Sequence, residues 1–194
     1  MKKVVLFAVS CLITVLAFAK NDAEDPKYGI GSVPVENGKV TFKTGIPLPE
    51  GADIDLCYQR VLSWAKGYFA SASVRSGAII AENSETRRFV FNVEQTLVFK
   101  RSALEIDESI IIYNFSVNFN NNACNITVSD IKYRYEMGRE SGGSTFTAED
   151  WITDNEAFNR KKTKFLKQTG KFRIKTIDLK DKLYTLVEDV LNSK

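Results

Sequence analysis

The chain has 194 residues, 44% of them hydrophobic and 26% charged, with a formal net charge of +3 and no histidine. That composition excludes intrinsic disorder as the default and suits one folded domain with extensions. The missing imidazole removes the commonest general base, the usual nucleophile triads and most zinc sites.

Lys2 and Lys3 precede an apolar run from Val4 to Leu16, and Ala17-Phe18-Ala19 supplies small residues for cleavage. Residues 1–19 are therefore expected to be a secretory signal, removed near Ala19. The run is shorter than the roughly 20 residues of a spanning helix, and no later segment is apolar enough to be one. Removing Lys2 and Lys3 leaves the mature chain nearly neutral, without a global field to steer a partner. Its expected place is the periplasm, the cell surface or the exterior. Cys57 and Cys124 are the mature chain's thiols. Both fall on faces predicted to be buried, which favours free thiols over a bridge.

Residues 20–38 form a polar leader with Pro26, Gly29, Gly31, Pro34 and Gly38 and no apolar period. The core domain is expected over 39–136. Val40, Phe42, Ile46 and Leu48 alternate with polar residues, giving a first strand that Pro47 and Pro49 close. Asp53 is placed as an N-cap for a helix reaching Phe69, with Cys57, Tyr58, Val61, Trp64, Ala65 and Tyr68 on its apolar stripe. Burying Trp64 is expected to contribute about 2–3 kcal/mol, which makes it a core anchor.

Val74 to Ala81 is a second strand with poor alternation, followed by a turn at Asn83-Ser84-Glu85. Phe89, Phe91, Val93, Leu97 and Phe99 mark the buried face of a third, with Gln95 breaking the pattern. Ser102 to Glu108 connects it to a hairpin from Ser109 to Tyr135. Ile111, Tyr113, Phe115, Val117 and Phe119 alternate on the way out, Asn121 and Asn122 turn the chain, and Cys124, Ile126 and Val128 return. The apolar parity then moves to Ile131, Tyr133 and Tyr135, which places a β-bulge near Ser129 and Asp130.

A Gly/Ser-rich loop occupies 137–146, and a C-terminal helical segment 147–194 packs on the core. Thr147 with Asp150 and Thr153 with Glu156 have capping-box spacing, so a short helical turn and then a longer helix are expected. Gly170 is expected to interrupt that helix and Asp178 with Asp181 to begin a final one. The whole reads as an α+β fold: an antiparallel five-stranded sheet with helices on one face, in the order β-α-β-β-β-β-α, plus a C-terminal helical extension. The other face should be wet, presenting Arg88, Asn92, Glu94, Thr96, Asn114, Ser116, Asn118, Lys132 and Arg134.

Lys27-Tyr28-Gly29 to Pro34, Gly38-Lys39-Val40, the helix around Tyr58 and Trp64, Tyr133-Arg134-Tyr135, and the run from Thr147 to Asp154 resemble a secreted bacterial domain-of-unknown-function family. The resemblance spans nearly all the mature chain. It implies a fold like that of the TATA-box-binding protein, whose half-repeat has the same element order, and it is silent on activity.

No catalytic, cofactor-binding or metal-ligating set is expected, and no cofactor. Gly142-Gly143 lacks the lysine and helix of a phosphate loop, and Glu149 with Asp150 or Asp178 with Asp181 sit where helix caps favour negative charge. Residues 157–177 hold no acid. Within them Arg160, Lys161, Lys164, Lys167, Lys171 and Arg173 are the candidate contact to an anionic surface, each suitably placed cation adding about 1 kcal/mol. Nucleic acid is not expected as a partner, because the open face has mixed charge and no aromatic platform. The expected function is a non-enzymatic exported module that binds an envelope protein, a glycan or an anionic surface. The alternatives are a small apolar-ligand carrier, with a cavity between the sheet and the helix of Trp64, and a hydrolase built on carboxylates.

Overall fold

The computed structural model describes residues 25–120, 122–136 and 142–193. The predicted signal segment, the start of the leader, Asn121 and residues 137–141 of the Gly/Ser-rich loop lie outside the described residues. Chain order is β1 (Val35–Glu36), β2 (Lys39–Val40), β3 (Phe42–Pro47), α1 (Ile54–Phe69), β4 (Ser76–Asn83), β5 (Arg88–Arg101), β6 (Ile106–Asn120), β7 (Ala123–Tyr135), β8 (Ser144–Thr147), α2 (Asp154–Ala157) and α3 (Lys167–Asn192).

Among the described residues, six strands make the main sheet, in the order β3-β7-β6-β5-β4, with β8 also paired to β7. All pairs are antiparallel. Strands β3 and β8 share one edge of β7, since β3 pairs with residues 123–128 and β8 with residues 132–135. The sheet therefore has one strand more than expected. Only four residues long and behind a glycine pair, β8 carries too short a pattern to read as a strand.

The hairpin of β6 and β7 is the centre of the sheet. Ile111, Tyr113, Phe115, Val117 and Phe119 of β6 and Cys124, Ile126, Val128, Ile131, Tyr133 and Tyr135 of β7 are all buried. Asn122 makes the turn with a φ of 58°. The bulge lies where the parity change put it: pairing steps from Ile112↔Lys132 to Asn114↔Ser129, and Asp130 takes a φ of 53°. One extra residue restores the apolar face after the hand of the alternation has flipped. Gln95 keeps the parity of β5 and is buried, accepting a hydrogen bond from the Tyr113 hydroxyl (3.0 Å).

Both long helices pack on the face that these residues share. Asp53 caps α1, accepting from the amides of Asp55 (2.8 Å) and Leu56 (3.2 Å). The anchor of α1 is Phe69 rather than Trp64. Phe69 is 2% exposed and meets the rings of Phe91 (4.9 Å) and Phe115 (5.3 Å), while Trp64 is half-buried and stacks on Tyr68 at the margin (5.3 Å).

Helix α3 runs unbroken through Gly170, Asp178 and Asp181, where an interruption and a restart were expected. Gly170 is required by close approach: a Cβ there would lie 2.5 Å from the Cβ of Phe165. Asp178 begins nothing. It accepts from Lys27 Nζ (2.6 Å) and the Tyr28 hydroxyl (2.7 Å), fixing the leader to the middle of α3. The described part of the leader is accordingly ordered, with β1 and β2 as a small hairpin and Val33 buried.

Candidate binding surface

The strand alternation that buries the odd-numbered residues of β5 and β6 turns the even-numbered ones to the opposite face, which neither long helix covers. In register across it lie Arg88 with Asn118, Asn92 with Asn114, Glu94 with Ile112, and Thr96 with Ile110. From β7 come Asn125, Thr127 and Ser129 and, beyond the bulge, Lys132 and Arg134. Each residue predicted for the wet face is on it. No phenylalanine, tyrosine or tryptophan of β5, β6 or β7 shares it, because all of those take the buried parity.

This face is cross-braced by its own side chains. Asn92 Nδ2 donates to Asn114 Oδ1 (2.9 Å), and Asn114 Nδ2 donates to Asp130 Oδ2 (2.8 Å), a line of amides from β5 to the bulge in β7. Arg134 reaches across β6 to form an ion pair with Glu94. Its Nε is buried without a hydrogen-bond partner. Val98, Ile110 and Ile112 are half-buried between these polar groups, so the surface mixes amides, hydroxyls, one charge pair and aliphatic side chains.

At one end the face deepens. Strand β6 starts at Ile106, three residues earlier than expected, and residues 106–108 pair with β5 but extend past the end of β7. The cleft that results has a volume of about 690 Å³, and Arg75, Ile106, Glu108, Ile110, Arg134 and Glu136 are among its lining residues. Arg75 and Ile106 were not singled out from the sequence. The signal for Ile106 is its even parity with Ile110, hidden because Asp107-Glu108-Ser109 resembles a connection.

Asp107 closes the cleft from the buried side. Lys171 Nζ donates to its Oδ2 (2.6 Å) and the Tyr135 hydroxyl to its Oδ1 (2.9 Å), while Lys171 also donates to the Tyr135 hydroxyl (2.7 Å). Burial opposes ionisation of Asp107, but the two hydrogen bonds outweigh it and hold the carboxyl below its ordinary value. Glu105 pairs with Lys100 and Glu108 with Arg101 (3.3 Å). These acids serve ion pairs rather than an acid and base facing each other. Among the described residues, no group of histidine, cysteine, aspartate and glutamate is placed to hold a metal ion.

The six basic candidates separate. Arg160, Lys161, Lys164 and Lys167 are exposed, and the first three lie on a loop closed by the Phe158–Phe165 bridge rather than on a helix. Lys171 is half-buried in the triad just described, its Nζ 4.6 Å from the centre of the Phe99 ring. Arg173 is not available to a surface at all, being 0% exposed. Its guanidinium donates to the carbonyls of Tyr28 (2.8 Å), Gly29 (2.5 Å) and Ile152 (2.7 Å), to Ser32 Oγ (3.0 Å) and to Asp154 (2.8 Å). A positive run in sequence does not distinguish a solvated lysine from an arginine that binds three carbonyls.

The other acidic pairs are structural as well. Glu149 accepts from the amide of Val40 (2.8 Å), and Asp150 exchanges hydrogen bonds with Thr147 in a turn. Rings pack between α1 and the sheet: Tyr58 meets Phe89 and Phe119, and Phe69 meets Phe91 and Phe115. Cys57 and Cys124 are free and buried. Burial pushes the Cys124 thiol up to about 12, so it is protonated and unreactive at neutral pH.

Comparison with known proteins places this geometry. Residues 42–134 match the family model of a domain of unknown function (DUF4468) with a TBP-like fold. The crystal structure of a DUF4468 family protein from Bacteroides ovatus is similar, with 26% identity and a TM-score of 0.76 over 88% of this chain and 96% of that one. A TBP-like protein from Parabacteroides distasonis is 22% identical, with a TM-score of 0.67 over 84% of this chain and 99% of that one, a likeness of fold alone. No curated protein matches the chain.

Proposed function

We propose that this chain, which carries a DUF4468 domain with a TBP-like fold, is a non-enzymatic binding module, exported by its N-terminal apolar run, that holds a segment of a protein partner on the uncovered sheet face. The observation that carries the reading is the composition of that face. Val98, Ile110 and Ile112 offer apolar contact, the line Asn92–Asn114–Asp130 and the pair Arg134–Glu94 offer directional hydrogen bonds, and the 690 Å³ cleft gives depth at one end. Protein interfaces combine apolar contact at the centre with directional hydrogen bonds around it. The absence of aromatic rings from the three central strands of this face speaks against stacked bases or sugar rings as the ligand. Among the described residues, no helix is long and apolar enough to cross a membrane.

The test is retention of envelope proteins from the source bacterium on the immobilised chain. I112D, which puts a charge in the aliphatic centre, is expected to weaken saturable retention by about tenfold or more, since truncating a central anchor costs about 2 kcal/mol or above. The double variant K161E/K164E is expected to leave it unchanged. Loss with the loop variant and not with I112D would move the activity to the basic loop, and absence of saturable retention would overturn the proposal.

A further inference from the structure

The sheet ends differently on its two sides. Along β7 the outer strand β3 carries Lys43 and Pro47, residues that discourage further pairing, whereas β4 has neither lysine nor proline and, among the described residues, pairs only with β5. Ile79 is 37% and Ile80 58% exposed on β4. A bulge between Ile79 and Ala81 brings the two isoleucines together at one step of the edge. An edge bulge twists the strand and works against further pairing, but the side chains this one presents are aliphatic.

The centre of this edge is its own antiparallel complement. Ser76-Gly77-Ala78-Ile79-Ile80-Ala81-Glu82-Asn83 reads Ala-Ile-Ile-Ala at its centre, so a second copy running the opposite way sets Ile79 against Ile80 and Ala78 against Ala81. The flanks match in charge. The same register brings exposed Arg75 of one copy beside Ser84-Glu85 of the other, twice by symmetry. Residue i contacting j while j contacts i is the signature of a two-fold interface.

We propose that β4 is a self-association edge, which pairs antiparallel with β4 of a second copy of this chain to make one continuous sheet across the dimer. Backbone hydrogen bonds supply the pairing, the four isoleucines the apolar centre, and the Arg75–Glu85 pairs the register. The two uncovered faces then lie side by side, so a partner with two binding segments gains from effective concentration.

Sedimentation equilibrium of the purified protein across the micromolar range tests this. The wild type is expected to show a monomer–dimer equilibrium. I80K, which sets two ammonium groups near the two-fold axis, is expected to weaken it at least about tenfold with an unchanged circular dichroism spectrum. The charge reversals R75E and E85R are each expected to weaken the dimer and, combined, to restore it. Oxidising the double variant A78C/A81C is expected to give a cross-linked dimer on a non-reducing gel. A wild type that stays monomeric at high micromolar concentration, a dimer indifferent to I80K, or a dimer that A78C/A81C does not cross-link would overturn the assignment.

Discussion

Arg173 shows how much one side chain can hold. Its guanidinium joins the leader at Tyr28, Gly29 and Ser32 to the turn at Ile152 and Asp154, and it lies 5.0 Å from the centre of the Phe158 ring. Burial lowers its affinity for the proton, the partial return coming from Asp154. A buried guanidinium is tolerable only because its donors are met, and the acceptors depend on it in turn. R173M is expected to destabilise the protein by about 3–5 kcal/mol, measured by urea unfolding, because backbone carbonyls lose their donors without water to replace it. R173K is expected to recover only part of this, since one ammonium does not span five acceptors. The neighbouring lysines obey a different rule: exposed Lys161 and Lys164 are expected to change stability by less than about 0.5 kcal/mol when replaced by alanine.

Among the elements, the helices show where local propensity is overruled. At Gly67 in α1 an added methyl group would have nothing within 4 Å, whereas at Gly170 in α3 it would lie 2.5 Å from Phe165 Cβ and 3.0 Å from its Cγ. G67A is therefore expected to stabilise by up to about 1 kcal/mol, the ordinary helix gain of alanine over glycine. G170A meets the same intrinsic gain but forces Phe165 aside, and is expected to destabilise by about 1–3 kcal/mol. Opposite signs in thermal unfolding would check the pair. This is also why the sequence could not disclose α3 as one helix: a glycine that permits close packing and a glycine that ends a helix are the same letter. Long alternating runs were legible. Phe89 to Phe99, Ile111 to Phe119 and Ile131 to Tyr135 each name a buried face and its opposite, and the parity change located the bulge. Strand β4 was less so, since an edge strand with a bulge has neither a buried face nor a constant parity.

For the molecule as a whole, the layers are fastened to one another by carboxylates. Asp107 ties β6 to α3 through Lys171 and to β7 through Tyr135, and Asp178 ties α3 to the leader through Lys27 and Tyr28. At both sites burial disfavours the charged form, yet hydrogen bonds from the cationic and phenolic partners win and both carboxyls titrate below their ordinary value. A carboxyl depressed in the folded state binds its proton more readily when unfolded. Its contribution is therefore complete above the unfolded value of about 3.9 and disappears as pH falls through the lower folded value. Lys171 has the complementary sign: its raised affinity stabilises the fold below the unfolded lysine value of about 10.4 and fades as pH rises through the folded one. The urea midpoint of the wild type is thus expected to hold through neutral pH and to fall in acid. D107N removes the negative charge and leaves half-buried Lys171 without its counter-ion, which is expected to cost about 1–3 kcal/mol at neutral pH. Because the wild type loses the same contribution on protonation, the two curves should converge as pH drops below the folded value of Asp107. A gap that persisted undiminished into strong acid would mean that Asp107 stabilises the fold by its shape and not by its charge.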